Sequence, residues 1–535
     1  MIEHQRTMSR TRTRWFFLLP AVLALAAIGA AQQPGVSAPS NAEKSHISPD
    51  QAKQLFGLVD QLIQFSSQES GLPIKGVVKR QLTNRTAVEA YLKEKFDEDE
   101  GTKRLQSSSI VLKKFGLLDR DFELKPFLLA LLKEQIEAYY DSKTKSIYLL
   151  DWVDIDEQKP VLAHELTHAL QDQHSDLEKW SDQTPDNVSL NYAQDTDHLA
   201  RDEMDTARDA VVEGQATAVM MDYILKPMGK SLIKDPEVMD AMKEQMDGAG
   251  DSPVMARAPL LLSESMLFPY REGLSFTQDL WMDQGQAAAF AGALDRPPTS
   301  SWEIINPREY EHHHQPSVPL LPNIHPLVDK LYKPYDIGQI GQLDVHILTT
   351  LFGGEQAAND LTPAWNGGLY WAGQLRSAKT AAEQASTKSI AFFYLSAWKN
   401  EASAQAFAQV YANNLGRKYS GLKELPAAAS ATETVGDVEQ LYTSSEGPVL
   451  IVTRGKMVFV AESFDLPLAH KLAALLLDAQ GSGELQSARL AEPDLRGSQR
   501  LDSNRLQPLT AGLVRFFSEC GVMKAAVAAG TRSAR

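Results

Sequence analysis

The run Ala163-His164-Glu165-Leu166-Thr167-His168-Ala169-Leu170 sets two histidines four residues apart, with a glutamate beside the first. On a helix, side chains at i and i+4 stack on one face, so the two imidazoles can converge on one ion. Glu165 sits about 100° further round, where its carboxylate reaches a water held by that ion rather than the ion itself. Zinc suits two imidazoles and a carboxylate, keeps a fourth position open, and lowers the pKa of its water to about 7. The chemistry these residues fit is hydrolysis, with Glu165 taking the water's proton and delivering it to a leaving amine.

Two residues compete to be the third ligand. His174 falls ten residues after His164, the spacing of the metzincin pattern, but Gln171 stands where that pattern needs a chain-turning glycine. On an uninterrupted helix His174 lies roughly 9 Å along the axis from His168, too far to share the ion. Glu213 lies in Asp209-Ala210-Val211-Val212-Glu213-Gly214-Gln215-Ala216-Thr217, among small apolar residues, where a carboxylate is costly without a partner. A metal removes that cost, which favours Glu213. A tetrahedral intermediate also needs a donor for its oxyanion, and Tyr270 and Arg271 in Phe268-Pro269-Tyr270-Arg271-Glu272-Gly273 are candidates. His312-His313-His314 reads as a solvated loop, because three consecutive residues rarely converge on one ion.

The elements that position these groups follow from pattern. Ser48-Pro49-Asp50 opens a helix with Leu55, Leu58, Leu62 and Ile63 at helical spacing. Ala138-Tyr139-Tyr140-Asp141 and Ser146-Ile147-Tyr148-Leu149-Leu150 flank a four-residue polar turn, the pattern of a β-hairpin. A helix is expected from Pro160, in its first turn, to about Gln173, and another from Asp202 to Leu225. Ser175 to Asp197 reads as a polar surface loop. Pro316 to Pro334 is proline-rich and marks a connection. Beyond it, a helix and a Trp365-Asn366-Gly367-Gly368 turn are expected. The segment Ser389 to Ala397, helices at Ala402 to Leu415 and Pro467 to Leu477, and strands near Val449 to Thr453 and Met457 to Ala461 complete a small α+β unit.

Tyr139-Tyr140-Asp141-Ser142-Lys143-Thr144 leading to Ile147-Tyr148, then His164 to His174, then Val212-Glu213-Gly214-Gln215-Ala216, resemble exported bacterial metallopeptidases of the gluzincin type. The motifs span about residues 138 to 218. The resemblance implies a zincin fold distantly similar to thermolysin, an α+β domain with a mixed sheet, an active-site helix and mainly helical surroundings. It implies Zn2+ at His164, His168 and Glu213, with Glu165 as base. It also implies that the strand bearing Ser146, Ile147, Tyr148 and Leu149 is the sheet edge on which a peptide or protein substrate lies extended. One departure is Thr217, where thermolysin-like enzymes carry an aspartate that orients the first histidine.

The chain's 535 residues exceed one core, and 43% hydrophobic and 23% charged residues make it globular. A net charge of −16 gives nucleic acid no electrostatic footprint. Arg6, Arg10, Arg12 and Arg14 precede an apolar stretch from Trp15 to Ala31, which reads as a cleavable secretory signal, with an uncleaved anchor as the alternative. Its removal takes four Arg and one Glu, moving the charge from −16 to −19. The expected product is periplasmic or extracellular, with no stable membrane insertion once the signal is gone. The lone Cys520 forms no internal disulfide, so core size, metal or both must stabilise it. The expected order is signal 1–31, leader 32–47, metallopeptidase domain 48–315, connection 316–335, smaller C-terminal α+β region 336–480 and tail 481–535. An exported envelope binding or scaffold protein that keeps the zincin core without turnover is the alternative function.

Overall fold

The computed structural model describes residues 47–98, 100–135, 138–181, 183, 191–235, 238–239, 253–426 and 437–480. The expected signal 1–31, all of the leader before residue 47 and the tail 481–535 with Cys520 lie outside the described residues. No helix among the described residues is long and apolar enough to cross a membrane. The architecture is mixed α+β, with a small mixed sheet and a larger antiparallel one.

Helix α1 (Pro49–Ser70) begins at a capping box between Ser48 and Gln51 and ends at Gly71, whose φ of 69° only glycine adopts cheaply. Strand β1 (Lys79–Thr83), helices α2 (Arg85–Glu98), α3 (Glu100–Phe115) and α4 (Leu124–Gln135), and the hairpin β2 (Ala138–Asp141) and β3 (Ser146–Leu150) follow. The small sheet has the order β1-β3-β2, with β1 parallel and β2 antiparallel to β3. This corrects the expectation that Ser146, Ile147, Tyr148 and Leu149 form the sheet edge. Their strand is central, and Ser146, Ile147 and Leu149 are fully buried. The edge on the α5 side is β2.

Helix α5 (Ile155–Ser175) starts earlier than expected because Asp154 caps it, accepting from the Asp156 N–H. Pro160 is therefore its sixth residue, not a first-turn residue. Val161, Leu162, Ala163, Leu166, Ala169 and Leu170 are fully buried, since α1, β2 and α8 (Met204–Leu225) all pack on this helix. The segment after α5, expected as a loop, contains α6 (Leu177–Ser181) and α7 (Tyr192–Arg201), the latter capped by Asn191. Helix α9 (Leu260–Gln284) crosses α8 with backbones in contact. A Cβ on Gly214 would lie 2.1 Å from the Gly273 backbone, and one on Gly273 2.0 Å from the Ala210 carbonyl oxygen. No other residue type fits either position.

The C-terminal region, expected to be the smaller unit, carries the larger sheet. Strands β4 (Tyr332–Gln339), β5 (Trp365–Leu375), β6 (Ile390–Trp398), β7 (Lys423–Leu425), β8 (Val438–Ser444), β9 (Gly447–Arg454) and β10 (Met457–Glu462) form an antiparallel sheet ordered β4-β5-β6-β10-β9-β8-β7. Its helices are α10 (Gln342–Leu361), α11 (Glu401–Lys418) and α12 (Leu466–Ala479). The boundary expected at 335/336 falls inside β4. Trp365 to Gly368 is not a turn but the start of β5, where the register shifts between Trp365 and Gly368 and Gly367 takes a φ of 116°.

Two joints tie the halves together. The Phe115 ring at the end of α3 stacks 4.8 Å from Phe392 of β6, and Lys114 donates to Glu446 at 2.7 Å. At the start of α8, Asp202 accepts from the Gln339 N–H of β4, and Glu203 accepts from the Ser301 N–H at 3.0 Å. Gly341 is needed here, because a Cβ would lie 2.3 Å from the Glu203 carboxylate.

Candidate metal centre

His164 and His168 project from one face of α5, with ring centroids 4.5 Å apart. Opposite them, α8 presents Glu213, whose Oε2 lies 3.0 Å from His164 Nε2 and 3.5 Å from His168 Nε2. One ligand atom from each of the three residues falls within 4.8 Å of the others, and no second such cluster occurs among the described residues. His164 and Glu213 are almost wholly buried, and the Gly214–Gly273 crossing fixes the helix that carries Glu213.

The three groups perturb one another strongly. Burial and the neighbouring His168 push His164 down to about 4. Burial acts the same way on His168, but the Glu213 carboxylate outweighs it and raises that ring to about 9. Burial opposes ionisation of Glu213 too, yet the two imidazoles hold it far below the usual carboxylate range. Two nitrogens and a carboxylate oxygen, converging in a buried place, are the donor set that zinc and related ions take. The residues present fit a metal ion.

Glu165 is beside this group and not part of it. Its Oε2 accepts from the Tyr140 N–H of β2 at 2.6 Å, while Oε1 is buried without a hydrogen-bond partner among the described residues. Burial raises this carboxyl to about 7. Tyr270 of α9 lies with its ring 6.2 Å from that of His164. Its phenol is pushed well above 10, by burial first and then by the Glu213 and Glu165 charges. The Tyr270 hydroxyl faces the Glu213 carboxylate and makes no hydrogen bond of good geometry among the described residues.

The other candidates go elsewhere. Arg271 is held by Glu264 at 2.7 Å and Glu272 at 3.0 Å, which turns it away from the role expected of it. His174 pairs with Asp295 at 2.9 Å near the end of α5 and is not in the cluster. His313 contacts Arg296, and His314 contacts Glu309 at 2.6 Å on the surface. Ser146, Ile147, Tyr148 and Leu149 stand one strand back from the site, behind β2.

Residues that sequence reasoning passed over support the site from behind. Gln171 accepts at its Oε1 from His168 Nδ1 at 2.9 Å. Asp172 accepts from the Tyr140 hydroxyl at 2.7 Å and from Lys145, which clamps the hairpin onto α5. The signal was present: Gln171 is three residues after His168, one turn along the same face. Thr217, expected to leave the first histidine without its usual orienting partner, is buried with an unpartnered hydroxyl, and His164 Nδ1 is likewise unpartnered among the described residues. No family model, no curated protein and no solved structure matches the chain.

Proposed function

We propose that the chain is a zinc-dependent metallopeptidase of the gluzincin type with a zincin-like core, exported by way of its N-terminal segment. The observation that carries this reading is the convergence of His164, His168 and Glu213 next to a glutamate with one anchored and one unengaged oxygen. His164, His168 and Glu213 hold the ion. When bound, zinc supplies Lewis acidity and brings a water's pKa to about 7.

The chain's own groups do the rest. The Tyr140 N–H fixes Glu165 through Oε2, leaving Oε1 to take a proton and return it to the leaving amine. The Tyr270 hydroxyl stabilises negative charge developing on the scissile carbonyl oxygen. The extended substrate lies along the outer side of β2, the strand whose Tyr140 N–H points at Glu165.

Metal analysis and a peptide-library cleavage assay on the parent and on Glu165→Gln test the proposal. Stoichiometric zinc in both, with cleavage only in the parent, is expected. Zinc in both with cleavage in neither favours the exported binding protein, and a parent that takes up no metal overturns both readings.

A further inference from the structure

We infer that Gln171 and Gln215 form a directional amide relay that presets His168 as the ligand donating Nε2, its direction set by the Val212 carbonyl and by the π-helical turn Ala288–Gly292. The inference rests on the metal-centre reading above and extends it to residues that touch no ion.

Each bond of the relay is in place. His168 Nδ1 meets Gln171 Oε1 at 2.9 Å. Gln171 Nε2 donates to the Val212 carbonyl at 3.0 Å and to Gln215 Oε1 at 2.9 Å. Gln215 Nε2 donates to the carbonyls of Ala289 and Phe290 at 2.8 and 3.0 Å. Gln171 and Gln215 are fully buried, so water does not substitute for a missing partner.

The donor and acceptor count permits one orientation. An amide offers two N–H groups on one side and only lone pairs on the other. The Ala289, Phe290 and Val212 carbonyls can only accept, so each glutamine must turn its NH2 toward them. Flipping Gln215 would set its oxygen against two carbonyl oxygens, and flipping Gln171 would set oxygen against Val212 O and Gln215 Oε1. With both amides fixed, the atom facing His168 is an acceptor, and Nδ1 must carry the hydrogen. The free lone pair of the neutral ring is then on Nε2, the nitrogen aimed at Glu213. Carbonyls exposed by a π-helical turn are what end the chain, which gives that turn a task. His164 has no such device, since its Nδ1 is unpartnered among the described residues. Gln171 and Gln215 are thus positioning residues for His168 alone.

Zinc affinity of the full-length protein, measured by chelator competition, and the 15N-edited imidazole N–H resonances test this in the parent, Gln171→Leu and Gln215→Leu. The parent should show a His168 Nδ1–H resonance protected from solvent exchange, assigned by its loss in His168→Ala. Gln171→Leu should lose that protection and bind zinc roughly 10- to 100-fold more weakly. Gln215→Leu, which leaves the His168 contact and the Val212 carbonyl in place but removes one of the two acceptors holding the Gln171 NH2, should weaken zinc binding at least about threefold, within the range of such outer partners. Should Gln171→Leu fail to fold, Gln215→Leu and the parent's resonance decide the matter. Zinc affinities within twofold of the parent, or a hydrogen on Nε2 in the zinc-free neutral ring, overturn the relay. A parent that binds no zinc defeats the proposed peptidase, while the Nδ1–H resonance still decides the relay.

Discussion

Lys418 and Glu462, in the seven-stranded half, are as deeply buried as His164 and Glu213 between α5 and α8. Around the first pair the polar atoms are engaged. Lys418 Nζ donates to Glu462 Oε1 at 2.6 Å, Tyr411 donates to the same oxygen at 2.7 Å, and Tyr419 donates to Oε2. Nearby, Lys114 bridges Glu446 and Ser463. Around the second pair, the nitrogens His164 Nε2 and His168 Nε2 crowd one Glu213 oxygen at 3.0 and 3.5 Å, and Glu165 Oε1 beside them is buried and unengaged among the described residues. Burying charge is expensive in both places. Saturating it with partners makes a joint; leaving convergent atoms unsaturated makes a site where a ligand supplies the missing interactions.

The contrast can be broken most forcefully at its reactive side. Glu165→Gln should lower kcat by about 10²- to 10⁴-fold with zinc content unchanged, read from steady-state cleavage and metal analysis. Lys418→Met should instead leave cleavage per folded molecule intact but cost about 3–5 kcal/mol in denaturant unfolding, because Glu462 is left buried without its cation. Between these, Gly214→Ala should cost about 1–3 kcal/mol by overpacking the α8–α9 crossing and should also weaken zinc binding. Gly57→Ala, in α1 where nothing lies within 4 Å, should by comparison stabilise by roughly 0.5–1 kcal/mol.

A pH dependence is expected at the joint between α8 and the large sheet. Burial raises the Glu203 carboxyl from 4.5 to about 7, so the folded state favours its protonated form. The stability this contributes is complete below about 4.5 and is lost as pH rises through about 7. Thermal unfolding on either side of that window should show a difference of up to about 3 kcal/mol that Glu203→Gln removes.

What could be read without coordinates divides along the range of the interactions involved. His164, Glu165 and His168 lie within one turn and a half of helix, and the β2–β3 hairpin closes over four residues, so local spacing revealed both. Glu213 was legible because a carboxylate among small apolar residues is costly alone. The place of β3 was not, since it depends on parallel pairing with β1, which lies more than sixty residues earlier and has a weak, mostly exposed pattern. Gly367 and Gly368 read as a turn, yet they sit in a strand because the Ser317 backbone and the Tyr394 ring approach too closely for a side chain. Gln171 drew notice only as the wrong residue for a metzincin. Beyond His168 its partners come from α8, and those of Gln215 from the turn beyond α9, contacts that no local pattern encodes.

The docking of Asp202 and Glu203 against Gln339 and Ser301 also bears on timing. A chain synthesised as far as residue 300 already carries His164, His168, Glu165 and Glu213, but not the backbone N–H groups that hold the start of α8. Those arrive with the second half, so the start of α8 is pinned only when β4 has been made and paired, whereas the stretch bearing Glu213 already packs on α5 and crosses α9 at Gly214. The 137 residues between Asp202 and Gln339 therefore set how long after its ligand-bearing stretch the first turn of α8 is pinned during synthesis.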